Sequence, residues 1–262
     1  MGKFSNKMKE KYKETKKGSL RVYLTLRILV IICMVLQILR GDLNNACLCL
    51  VSLFLFTIPT LIQDKFQITL PSLLEGIIYV FIFSAEILGE INNFYGIIPH
   101  WDTVLHTING FLAAGIGFSL IDLLNQNSKQ IKLSPIFVAL VAFCFSMTIG
   151  VLWEFFEYGA DSLLKLDMQK DRIVTTISST EINPEKKNKP IVINNIKETD
   201  IITEDGTFVI NGGYLDIGIN DTMKDLIVNF IGAVAFSAIG FLYIENREKY
   251  KFASNFIPTK NN

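Results

Sequence analysis

The sequence predicts an all-α polytopic membrane protein: a six-helix transmembrane bundle with a small extracytoplasmic loop and β-hairpin insertion. Three observations predict it. Half of the 262 residues are hydrophobic and only 19% are charged, and the mean hydropathy of +0.37 is apolar for a soluble domain of this size. The apolar residues gather into runs of about 18 to 23, the length that crosses a hydrocarbon core. Lysine and arginine on the short connecting segments fall mostly on alternate ones, the pattern that orients membrane helices.

Residues 1–21 form a basic segment with Lys3, Lys7, Lys9, Lys11, Lys13, Lys16, Lys17 and Arg21, followed by Arg27 just inside the first run. Phe4, Met8 and Tyr12 recur at helical spacing, so the segment reads as an interfacial helix or as a solvated tail that sets orientation. Its charge places the N-terminus in the cytoplasm. No small-residue cleavage site follows, so a removed signal peptide is not expected.

The spans are read at residues 22–39, 43–62, 70–88, 102–124, 134–158 and 222–244. Residues 22–164 thus hold five transmembrane helices and 221–244 the sixth. Turns at 40–42 and 92–99 lie outside. Turns at 63–65 and 125–132, the latter with Lys129 and Lys132, lie inside. The tail, 245–262, carries Arg247, Lys249 and Lys251 and returns to the cytoplasm. This is a multi-pass protein of the cell membrane with both termini cytoplasmic.

Residues 165–220 form a long outer loop rich in Lys, Asp, Glu, Asn and Thr. Residues 201–204 and 207–210, around Asp205-Gly206, read as a β-hairpin, and 183–189 as a disordered stretch. The basic and acidic residues balance at 25 each, which does not suggest a nucleic-acid partner. Cys33, Cys47, Cys49 and Cys144 all lie in apolar runs without metal-ligand spacing, so neither disulfides nor a thiolate metal site is expected.

Polar residues cluster at the span ends. Glu86 and Glu90 close span three, and Asp102 and His106 open span four. Glu154, Glu157 and Asp161 close span five, and Asp221, Asp225 and Asn229 open span six. Within each cluster the spacing puts the side chains on one helix face. The alternation of spans puts all four clusters at the outer side, where ionisable groups turn inward toward partners. Lys224 neighbours Asp225 but leaves the helix about 100° away, so no cation inside the spans is expected to balance these acids. Gly110-x-x-x-Ala114, Ala113-x-x-x-Gly117 and Ala233-x-x-x-Ser237 let spans four and six pack closely.

So many carboxylates at one depth need neutralising. Shared protons would do it. So would a divalent cation (Mg, Ca, Mn or Zn) held by Asp102, His106, Glu154, Glu157 and Asp225, and so would a cationic or metal-bearing ligand. A polar cap of mutually hydrogen-bonded side chains is the structural alternative. In an enzyme, His106 would be base or ligand, Asp102 would orient it, and Glu154 would supply an acid. The substrate would be a membrane lipid or a lipid-linked, amphiphilic envelope molecule. A non-catalytic role in envelope assembly or stress resistance stays open, and so does a proton-coupled transporter, though no inverted repeat is evident.

Three segments carry a resemblance: Trp101-Asp102-x-x-x-His106-x-x-x-Gly110-Phe111, Trp153-Glu154-x-x-Glu157-x-x-x-Asp161, and Asp221-Thr222-x-x-Asp225-x-x-x-Asn229-x-x-Gly232-Ala233. As a set they resemble the YjdF-like bacterial membrane proteins, a family of unknown function, over about residues 70–244. A distant similarity is to VanZ-like proteins, which share Asp-x-x-x-His, a later Glu and Asp-x-x-x-Asn-x-x-Gly. That similarity implies a connection to the cell surface. Neither resemblance implies a substrate.

Overall fold

The computed structural model describes residues 2–127 and 132–260. The side chains of residues 2–17 and 126–127 are outside this description. The expectations for Phe4, Met8, Tyr12 and the lysines from Lys3 to Lys17 therefore lie outside the described residues, as does that for Lys129.

Among the described residues, six helical stretches are long and apolar enough to cross a membrane: Gly18–Arg40, Leu43–Phe66, Ser72–Ile91, Trp101–Asn125, Pro135–Leu164 and Ile219–Glu245. The first belongs to α1 (Gly2–Arg40), one unbroken helix that joins the basic segment to span one. The second is two helices, α2 (Leu43–Leu55) and α3 (Ile58–Phe66). Pro59 sits in the first turn of α3, where a missing N–H costs nothing. Asp42 caps α2 by accepting from the Asn45 N–H at 3.0 Å.

The third stretch begins as α4 (Ser72–Ile82) and widens into a π-helical segment, Phe83–Ile91. A run of regular α-helix was expected here. One turn, α5 (Phe94–Ile97), leads to α6 (Trp101–Asn127). The last two stretches are α7 (Pro135–Leu164) and α8 (Ile219–Glu245). Exposed Ile28, Ile32, Leu50, Phe54, Leu140 and Ile227 on these helices are the apolar surface that a bilayer covers.

The chain forms two compact units: residues 1–150 with 227–262, and residues 151–226. In the first unit, Val30, Cys49, Phe56, Tyr79 and Ile87 make one core, and Tyr23, Phe56 and Tyr79 meet ring to ring. A second core joins Ala114, Phe118, Val138, Ala142, Ala233 and Phe236 to Ala253 and Ile257 of the tail. Strand β1 (Ile68–Thr69) pairs antiparallel with Thr259–Lys260, so the loop after α3 and the tail after α8 share one end. At that end Arg247 contacts the buried Asp122 at 2.6 Å. The cysteines are free.

The second unit carries the strands of the long loop. They are β2 (Ile173–Val174), β3 (Ile177–Ser179), β4 (Ile191–Ile193), β5 (Glu198–Thr203), β6 (Gly206–Asn211) and β7 (Tyr214–Leu215). They pair as β2–β7, β3–β4 and β5–β6, all antiparallel. The predicted hairpin is β5–β6, but Thr203 faces Gly206, so the turn residues are Glu204 and Asp205, one earlier than expected. Gly206, with φ 141, opens the return strand in a conformation that side chains avoid.

Residues 183–189, expected to be disordered, form a turn in which the Asn183 amide donates to the Lys189 carbonyl at 2.8 Å. Ahead of α8, Asp216 accepts from the N–H groups of Arg172, Gly218 and Asn220 at 2.8, 3.2 and 3.1 Å. Burial alone would raise its pKa, but these donors and the Asn220 amide hold it below the usual carboxylate value.

Candidate functional site

The site is built from the first turns of α6. His100, with φ 63, turns the chain after α5, and its carbonyl accepts from the Val104 N–H at 3.0 Å. His100 thus shapes the start of the helix. Trp101 packs edge-on against Phe94, ring centroids 5.0 Å apart, and donates its indole N–H to the Ser84 carbonyl at 3.3 Å. That bond ties the start of α6 to the π-helical segment, as neither the sequence period nor the motifs suggested. Asp102 lies in the first turn, where the helix dipole favours a carboxylate. One turn on, His106 Nε2 is 3.3 Å from Asp102 Oδ1. His106 is buried and Asp102 partly exposed.

The next turn of α6 is a close helix seam. A Cβ on Gly110 would lie 2.1 Å from the Asn229 carbonyl, and one on Gly232 would lie 2.1 Å from that of Thr107. A Cβ on Gly150 would lie 2.6 Å from the Asn229 amide nitrogen. Asn109 donates to Asn229 at 3.3 Å, Asn229 donates to the Ser146 carbonyl at 3.4 Å, and Ser146 donates to the Gly110 carbonyl at 2.7 Å. Asn229 is therefore a buried knot between α6, α7 and α8. Ser146 was missed, although it stands one turn before Gly150 on the same face.

In the second unit Glu154 and Glu157 are buried on α7, and Glu157 accepts the Trp153 indole N–H at 2.8 Å. Asp161 accepts from the N–H groups of Met168 and Gln169 at 2.6 and 2.8 Å, closing the chain that leaves α7. Asp221 accepts from the Lys170 N–H and from Arg172, each at 3.1 Å. Both acids pin the loop, and Arg172 is a partner that sequence spacing could not supply. Lys224 Nζ stands 3.7 Å from Asp225 Oδ1, so the expectation that no cation balances these acids is corrected. The two side chains leave the helix in different directions, but the long lysine stem curls back. In the first unit, Glu86 is partly buried and Glu90 is exposed on the π-helical segment.

Within the first unit, Asp102 and His106 offer a carboxylate oxygen and an imidazole nitrogen side by side, the kind of donor pair that can hold a metal ion. A carboxylate with an imidazole suits Mn²⁺ or Zn²⁺, and carboxylate oxygen alone suits Mg²⁺.

Six apolar helices with ionisable groups buried along them define a multi-pass α-helical membrane protein. More particularly, residues 21–246 match the family of predicted membrane proteins DUF2238, and the chain belongs to that family. The match is consistent with the YjdF-like resemblance of its motifs. No curated protein and no solved structure matches the chain.

Proposed function

We propose that this protein uses Asp102, His106 and Asp225 to hold a divalent cation that engages the headgroup of a membrane lipid or cell-envelope amphiphile. The observation that carries the reading is the carboxylate–imidazole pair on α6, with the buried His106 Nε2 3.3 Å from Asp102 Oδ1. Helix register supports it. Asp225 stands one turn before Asn229 on the unbroken α8, as His106 stands one turn before Gly110 on α6, and Gly110 and Asn229 meet at the seam. A bound cation would polarise a phosphoryl or carbonyl oxygen. His106, held by Asp102, would move a proton at its imidazole. Glu154 and Glu157 supply further acids in this reading.

Thermal unfolding of purified protein, together with metal analysis, tests it. Stability should rise with cation concentration, by about 2.7 kcal/mol at a hundredfold excess over Kd. Asp102→Asn and Asp225→Asn should each abolish the rise. If no metal co-purifies and added Mg²⁺, Mn²⁺, Ca²⁺ and Zn²⁺ leave the melting temperature unchanged, the reading is lost.

A second reading is a non-catalytic protein of envelope assembly or stress resistance whose acids are structural. The contacts of Lys224 with Asp225, Arg172 with Asp221 and Trp153 with Glu157 favour it, because the chain itself satisfies those carboxylates. A proton-coupled carrier ranks below both, for want of a repeat in the sequence.

A further inference from the structure

A groove of about 880 Å³ runs along the first unit, walled almost wholly by apolar side chains of α1, α4, α6 and α8, among them Val22, Ile77, Phe81, Ile108 and Ile231. It follows α4 from Ser72 to Ser84 at the head of the π-helical segment. Twelve helical residues rise roughly 18 Å. That is close to the about 15 Å that one leaflet contributes to a hydrocarbon core about 30 Å thick. The groove exists because side chains are missing along it: a Cβ on Gly18 or on Gly76 would meet no atom within 4 Å.

Its two ends differ in kind. Gly18, Ser19 and Ser72 lie at one. At the other, Trp101 and Ser84 close on each other through the indole hydrogen bond. The next residue of α6 is Asp102, paired with His106. An apolar slot one leaflet long, ending beside a carboxylate–imidazole pair, has the form of a single chain with a polar head.

We propose that the groove seats the acyl tail of the amphiphile whose headgroup meets Asp102 and His106. This rests on the proposed site for the headgroup, while the tail slot stands on the groove alone.

The two tryptophans of the chain, Trp101 and Trp153, make a test direct. With Trp153→Phe, Trp101 alone reports from the groove mouth. The protein is reconstituted in phosphatidylcholine vesicles and titrated with phosphatidic acid carrying brominated acyl chains, which quench indole fluorescence on contact. A seated tail gives quenching that saturates at a small mole fraction. Gly76→Phe, filling the slot, should raise the half-quenching fraction about tenfold or more, equivalent to a loss of about 1.4 kcal/mol. Gly76→Leu should act in the same direction if the larger side chain impairs folding. Gly159→Phe, whose added side chain also starts in open space, should change nothing.

Quenching that rises in proportion to mole fraction, and is indifferent to both Gly76 variants, would mean ordinary bilayer lipid passing the mouth and would overturn the proposal. So would saturable quenching that both Gly76 variants leave unchanged. Saturable quenching that Gly76→Phe weakens but a chelator leaves intact keeps the tail slot and counts against the cation alone.

Discussion

At the residue scale, Asp122 and Arg247 show how a buried charge is tolerated. The Asp122 side chain is almost wholly enclosed, and Arg247 reaches it at 2.6 Å from just beyond α8, with its guanidinium 4.7 Å from the Tyr243 ring. Removing one partner of such a pair strands the other charge in a poor solvent, whereas removing both relieves it. Arg247→Ala should therefore destabilise the protein by about 3 kcal/mol or more. Asp122→Asn combined with Arg247→Ala should cost clearly less than the sum of the two single changes. Melting of the four proteins in one detergent checks this, and additive losses would mean the pair is a surface contact of little energy. Asp122 lies in the last turns of α6, away from the acids at the start of that helix. Its partner was invisible in the sequence, because 125 positions separate them.

At the element scale, α6 and α8 approach until backbone meets backbone. The small-residue patterns announced this approach, and the structure shows which glycines bear it. Gly110 and Gly232 face carbonyl oxygens 2.1 Å from where a Cβ would sit, and a helix backbone cannot give locally. Gly110→Ala and Gly232→Ala should each lower stability by about 1–3 kcal/mol or more, as overpacking does. Gly76→Ala, in open space on α4, should be neutral or stabilising by up to about 1 kcal/mol through helix propensity. Thermal unfolding orders the three, and equal behaviour would refute the seam. The π-helical segment is the element that periodicity missed. Four-residue spacing stacks side chains in an α-helix, and Glu86 and Glu90 fit that spacing without revealing the wider turn.

At the scale of the whole molecule, the antiparallel pairing of Ile68–Thr69 with Thr259–Lys260 puts the loop after α3 and the tail after α8 at one end, as an even number of crossings requires. Which end faces the cytoplasm follows from lysine placement, and the proposed orientation puts residues 165–220 outside. A cysteine introduced at Asn188 in a background lacking Cys33, Cys47, Cys49 and Cys144 should react with an impermeant reagent added to intact cells. One introduced at Lys249 should react only after lysis. The opposite pattern would invert the protein and move its acidic helix ends to the cytoplasmic side.

The sequence by itself determined the six apolar helices, the hairpin within the long loop, and the pairing of Asp102 with His106. These depend on local period and spacing, because a bilayer demands about 20 apolar residues per crossing and an i, i+4 pair needs only its own helix. Only the tertiary structure decided which acids were already satisfied. Asp161 is engaged by loop N–H groups, Asp221 by Arg172 and Glu157 by an indole, while Lys224 stands 3.7 Å from Asp225. It also decided that Asn229 is a seam residue, and that the space beside Gly76 is open. The physical reason is reach. Whether a carboxylate meets water, a cation or a backbone N–H depends on chain segments far away in sequence, and those are placed only when the helices pack.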